Sequence, residues 1–386
     1  MSKTYKIDDP RVIKLKSIIK KLHHGAKAEE VKDEFAHEFK YVSGSEIAAM
    51  EMALVADGLD VREIMKLCDV HASMFYDNIF EIHSDKVKNH PLEEYSHENR
   101  VIQSYFNAHF KTAVVLTGED DYLHVLEALP HVIKFHDLLD QHYMKKEQRL
   151  FPLLEASGIT TIPQVMWGVD DEIRDKFKAL RENAADKNTD AKVWFDDLEA
   201  ALDQAIDMIN KEENILFNVL KENLTTEQWD SLVTLNKSIN HKAELSQGKL
   251  PESGEIRLPS GSFQISELTN LLNILPIDMT YVDKNDRVAY VSQGKHRIFE
   301  RPLTVIGREV RYCHPPKSLD KVEKIINDFK EKKADHAHFW INYRGMYVYI
   351  QYFALYDEAG EYQGVVEVSQ DIKPLQAITG EKRLAD

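Results

Sequence analysis

The feature that most restricts this chain is an internal echo. Residues 146–155 read KEQRLFPLLE and residues 212–221 read EENILFNVLK, so setting Glu147 against Glu213 also pairs Leu150 with Leu216, Phe151 with Phe217 and Leu154 with Leu220. Apolar residues at these spacings share one face of a helix. The same period runs through four long stretches, about 91–116, 119–156, 162–185 and 190–222, with a short one after Thr225-Thr226-Glu227. Long amphipathic helices joined by short loops pack as antiparallel neighbours, so residues 84–241 are expected to form a four-helix bundle made of two related hairpins. A weaker match of Glu98-Asn99-Arg100-Val101 with Asp170-Asp171-Glu172-Ile173 extends the duplication to the preceding helices.

The flanks differ in period. Residues 1–83 place Val12, Leu15, Ile18, Ile19 and Leu22 on one helical stripe, stop at His23-His24-Gly25, and restart with Val31, Phe35 and Phe39. Ser43-Gly44-Ser45-Glu46 then supplies a helix cap. This reads as a small all-α domain of three or four helices. The stretch 242–262 is rich in Gly and Pro, the mark of an exposed linker. Beyond it, 279–282, 288–291, 337–343, 347–356 and 362–370 are strand-like, rich in β-branched and aromatic residues, with helical segments at 264–275 and 318–332. Residues 263–386 are therefore expected to form an α+β domain with an antiparallel sheet of about five strands. A multidomain chain suits 386 residues, at roughly 150 per domain.

Composition removes several classes of function. Lys and Arg number 49 against 65 Asp and Glu, a net charge of -16 that opposes nucleic-acid phosphate. The basic run Lys330-Glu331-Lys332-Lys333 is short and lies between Asp328 and Asp335. Two cysteines, Cys68 and Cys313, fit a reducing compartment better than a disulfide scaffold. No leader-like apolar core opens the chain, and no run approaches the roughly 20 apolar residues of a membrane helix. The expectation is a cytoplasmic protein with no nucleic-acid or membrane partner.

Histidine points to chemistry. Of 17, nine lie between His71 and His142, and none between residues 143 and 240. A bundle can hold a metal if each helix projects acids or imidazoles inward at one depth. His142 and Glu147 share a helix, Glu212 and Glu213 hold the duplicated place, and Glu98 with Asp170 or Asp171 come from the first and third helices. His90 precedes the first helix, and Glu94-x-x-His97 adds an acid and an imidazole on one face. Against this stands the commoner fate of a helical Glu, which is exposure to water. In the last domain Cys313-His314 could ligate haem or sense redox state, although a structural turn is the commoner use of such a pair. The aromatic series from Phe339 to Phe353 is sheet packing before it is a cofactor box, and His71 is first of all a packing residue.

Several segments carry a resemblance to one known architecture. LHHGAKAEEVKDEF and IMKLCDVHASMF resemble a DUF438 helical domain; HPLEEYSHENRVI, HYMKKEQRLFPLLE, VMWGVDDEIR and KEENILF resemble a hemerythrin-like (HHE cation-binding) bundle; REVRYCHPPKSLDKV and the run from Ala337 to Ile372 resemble a PAS domain. The resemblance implies a non-haem di-iron centre held by histidines and bridging carboxylates. By position, His142 matches a family histidine, but Lys146 stands where a bridging Glu is usual, and Asn99, Asp171 and Met208 stand where histidines are usual. What it implies here is a carboxylate-rich site at His90, Glu98, His142, Glu147, Asp171, Glu212 and Glu213, holding iron or manganese, or else a bundle that has lost its metal. In the PAS domain, haem or flavin near Cys313 and His314 is the corresponding expectation.

Three readings follow. The first is a redox or gas (O2/NO) sensor whose iron signal is relayed through PAS association, more a binding protein than an enzyme. The second is an iron-dependent enzyme or an iron donor in stress repair. The third is a metal-free PAS interaction scaffold. With no kinase, cyclase or DNA-binding module recognisable, output is expected to pass to a protein partner, with homo-oligomerisation through the PAS domain.

Overall fold

The computed structural model describes residues 7–39, 42–66, 90–111, 121–240, 254–295 and 297–381. Cys68 and His71 lie outside them. The chain divides into two compact units, a helical one up to Asn236 and an α+β one beyond it.

In the helical unit, α1 (Pro10–His23) starts where the Asp9 carboxylate accepts from the Arg11 amide, with Pro10 in the first turn, where a missing N–H costs nothing. Its expected stripe, Val12 to Leu22, is buried. Then come α2 (Ala28–Glu38), α3 (Gly44–Ala56) and α4 (Val61–Lys66). Ser43 and Glu46 form the expected reciprocal cap of α3. The apolar core of these helices includes Val165 from the bundle, and the Ser45 amide and hydroxyl both donate to the Glu222 carboxylate.

The bundle comprises α5 (Glu93–His109), α6 (Asp121–Arg149) continued by α7 (Phe151–Ala156), α8 (Thr161–Asn183) and α9 (Ala191–Lys211). A π-helical turn, Glu212–Leu216, joins α9 to α10 (Phe217–Asn223), and α11 (Thr226–Asn240) follows. The echo is a core signature: Leu150, Leu216, Phe151, Phe217, Leu154 and Leu220 are all buried, in one cluster with Phe135, Phe177 and Trp194.

The second unit opens with a hairpin of β1 (Glu255–Leu258) and β2 (Gly261–Gln264), at the end of the stretch read as a linker, then α12 (Ile265–Ile274). The main sheet holds β3 (Asp278–Asp283), β4 (Val288–Val291), β5 (His336–Tyr343), β6 (Met346–Tyr356) and β7 (Tyr362–Asp371), all pairings antiparallel, in the order β4-β3-β7-β6-β5. These are the five strands expected from the residue pattern. Arg344 and Gly345 both take positive φ between the paired Tyr343 and Met346, the geometry a two-residue hairpin turn demands. Val348, Ile350 and Val365 line the inner face and pack with Phe329 of α13 (Pro316–Lys330); α14 (Lys373–Gln376) follows the sheet. Among the described residues no helix is long and apolar enough to cross a membrane.

Candidate functional site

Polar side chains from all four bundle helices meet in the interior. His142, buried on α6, has Nδ1 at 2.8 Å from Glu98 Oε2 of α5 and Nε2 at 2.7 Å from Glu212 Oε2 of the π turn. A carboxylate only accepts, so a ring donating to two of them is an imidazolium. Burial alone would lower its pKa, but Glu212 and Glu98 outweigh that and raise it to about 9. One turn on, Lys146 Nζ lies 2.5 Å from Glu212 Oε1 and 2.8 Å from Asp170 Oδ1 of α8, and none of these three side chains is exposed. Burial would likewise raise the Glu212 carboxyl, yet Lys146 and His142 hold it down at about 2. Asp170 goes the other way: burial pushes it well up, and its Oδ2 has no hydrogen-bond partner among the described residues. Lys146 is in turn held protonated, because Asp170 and Glu212 overcome the effect of burial.

A second cluster sits beside the first. Arg174 of α8 forks onto Glu147, Nη1 to Oε1 at 2.7 Å and Nη2 to Oε2 at 3.2 Å, while Nε donates to Asp140 at 2.9 Å and Nη1 to Asp171 at 3.1 Å. Such a fork is the geometry guanidinium and carboxylate share. Tyr143 lies between the two cations, its ring centre 4.4 Å from Lys146 Nζ and 5.5 Å from Arg174 Cζ.

The π turn explains how consecutive glutamates both serve the interior. An extra residue in one turn re-aims the side chains that follow. Glu212 is fully buried towards α6, while half-buried Glu213 reaches α5, accepting from Ser96 Oγ and Asn99 Nδ2 at 3.0 Å each. Of the other candidates, His97 is exposed, and His90 serves the start of α5, its Nδ1 accepting from the Leu92 amide at 3.2 Å and its ring edge-on to Trp229.

Family comparisons agree with this layout. The hemerythrin HHE cation binding domain matches residues 90–220, the family of unknown function DUF438 matches 15–81, and a PAS domain matches 268–373. Each model covers one segment of the chain, so it carries a DUF438-like, a hemerythrin HHE-like and a PAS-like segment in that order. No curated protein is significantly similar to it. Among solved structures, a C-terminal domain from Streptococcus mutans is 34% identical, over 32% of this chain and 96% of that one, with a TM-score of 0.30. A sensory box sensor histidine kinase from Vibrio cholerae is 17% identical, over 28% of this chain and 90% of that one, at 0.22. An RNA-binding light-oxygen-voltage receptor is 13% identical, over 67% of this chain and 66% of that one, at 0.24.

The hemerythrin fold implies a metal, and the residues present do not fit one. An ammonium has three donors and no lone pair, so Lys146 cannot ligate while protonated. Both oxygens of Glu212 and of Glu147 already accept from cationic donors. Among the described residues no group of three or more His, Cys, Asp or Glu is disposed to hold a metal ion. Residue types at seven positions suggested a carboxylate-rich centre; the structure brings Glu98, His142 and Glu212 into one network, Glu147 and Asp171 into another, and leaves His90 and Glu213 outside both. Sequence reasoning did not give Lys146 and Arg174 a part in the layer. The available signal was the echo itself, which sets Lys146 opposite Glu212.

The PAS domain encloses a cavity of about 30 Å³ lined by Thr280, Arg301, Cys313, His314, Tyr352 and Glu367, among apolar neighbours. That holds about one water, far below the roughly 300 Å³ at which ligand pockets begin, so the space beside Cys313 and His314 is too small for haem or flavin as it stands. The Cys313 thiol lies 3.6 Å from the Glu309 carbonyl oxygen, to which it donates, and Tyr352 donates to Glu367 at 3.0 Å. His314 keeps some residue exposure, but its imidazole is withdrawn from water, and burial pulls its pKa down to about 4. Cys313 and His314 thus both line this small cavity.

Proposed function

We propose that this chain is a signalling protein that works without an iron centre, the bundle acting as a charge-satisfied helical scaffold and the PAS domain as the module that senses or binds a partner. Lys146, buried between Asp170 and Glu212, carries this reading, since it neutralises from within the acids a metal would need. Output passes to a protein partner, in the cytoplasm, and the PAS domain mediates self-association. The test is direct: produce the protein in iron- and manganese-supplemented medium, purify it without air, and measure metal content and the optical spectrum. Substoichiometric metal and a featureless visible spectrum are expected. The rival reading, iron-based redox or gas sensing or an iron-dependent reaction, draws on His142 and Glu212, two ligand-type residues 2.7 Å apart. Stoichiometric iron with an absorption band that changes on exposure to air would establish that reading and overturn ours.

A further inference from the structure

The Lys146 ammonium is placed as a bound cation would be. Lys146 Nζ ties three segments at one atom: its own α6, α8 through Asp170 and the π turn through Glu212. Glu212 passes the chain of contacts to His142, and His142 passes it to Glu98 on α5. Every helix of the bundle is therefore joined through an interior charge, which is the structural service a metal bound between helices performs. Asp170 Oδ2, fully buried and without a donor among the described residues, also faces this polar layer. The duplication sharpens the point. Its two copies differ in charge at Lys146 against Glu212, Arg149 against Ile215 and Glu155 against Lys221, and the first of these pairs forms the buried ion pair. Two acids there would repel and call for a cation between them; one acid and one base need none.

We propose that the Lys146 ammonium occupies the cation position of this bundle, as a resident substitute for a divalent metal, and that reversing its charge turns the place into a divalent-cation site. The proposal rests on the metal-free reading above. Lys146→Glu leaves the introduced carboxylate with Glu98, Asp170, Glu212 and His142, an oxygen-rich donor set that suits manganese. The experiment compares thermal midpoints of the full-length wild type and Lys146→Glu in EDTA and in manganese chloride, with bound manganese measured after desalting. Wild type is expected to keep one midpoint in both and retain no manganese. The variant is expected to melt roughly 10 °C lower in EDTA, to regain much of that loss with manganese, and to retain the ion stoichiometrically. A variant with the same midpoint in EDTA and manganese, or one as stable as wild type in EDTA, overturns the proposal while leaving the metal-free reading intact. Stoichiometric metal in the wild type would instead overturn that reading itself.

Should Lys146→Glu be insoluble, Lys146→Met and Lys146→Met/Glu212→Met decide. The single change strands a buried acid and is expected to weaken the protein; the double change removes that acid and is expected to recover most of the loss. A single variant equal to wild type, or a double variant no better than the single, overturns the proposal.

Discussion

Lys146 and Glu212, equivalent positions of the sequence echo, form an ion pair 2.5 Å long with no exposed side-chain surface on either partner. A buried pair is weak evidence of net stability, because desolvation consumes much of the Coulomb gain, but losing one partner leaves the other charge uncompensated. That asymmetry governs how the bundle responds to substitution and to pH.

Arg174 is the first case. Arg174→Met removes the fork on buried Glu147 and is expected to cost about 3–5 kcal/mol in urea unfolding. Adding Glu147→Met should return a large part of that loss. A double variant as weak as the single one would mean that the guanidinium contributes by packing rather than by charge.

Alkaline pH should loosen the bundle through His142. Its folded pKa, about 9, lies above the ordinary 6.5, so its contribution is complete below pH 6.5 and is lost as pH rises through 9. The shift corresponds to about 3 kcal/mol. Urea midpoints of wild type should fall across that window, whereas His142→Gln, weaker at pH 6, should show a smaller slope. Glu212 sets the acid limit: its depressed pKa gives stability that is present above pH 4.5 and is lost as pH falls through about 2.

The PAS domain should respond at a different pH. The His314 imidazole binds a proton more weakly folded, near 4, than unfolded, near 6.5. Stability is therefore full above pH 6.5 and declines as pH falls towards 4. In calorimetry the PAS transition of His314→Phe should lose this acid sensitivity; an unchanged profile would move its origin to another group.

Gly364 tests the sheet. It sits at φ +140° opposite Asp283, and a Cβ there would lie 2.2 Å from the Val282 carbonyl oxygen. Gly364→Ala is expected to cost about 3 kcal/mol, from backbone strain and from contact with backbone that cannot yield. A melting temperature equal to wild type would show that β7 can shift without penalty.

Much of the architecture was legible because it rests on local periodicity. Leu150, Phe151 and Leu154 and their echo mates mark the bundle core from spacing alone, and the β-branched and aromatic runs between Ala337 and Gln370 mark the strands to within a residue or two of where they lie. The hairpin at Glu255–Gln264 was hidden by the Gly and Pro content that resembles a linker. The site was legible only in part. The sequence placed Glu98, His142, Glu147, Asp171 and Glu212 on inward faces, but the partner of each depends on how helices rotate against one another, and the π turn that re-aims Glu212 and Glu213 leaves no periodic trace.

By itself, then, the sequence determined the helical and sheet periods and the types of side chain offered to the interior, because these properties are carried by single positions or by neighbours along the chain. Which partner each interior acid takes was decided only in three dimensions. The answer depends on distances between residues 24 and 66 positions apart, Lys146 to Asp170 and Lys146 to Glu212, and burial makes those distances decisive by removing the water that would otherwise screen each charge.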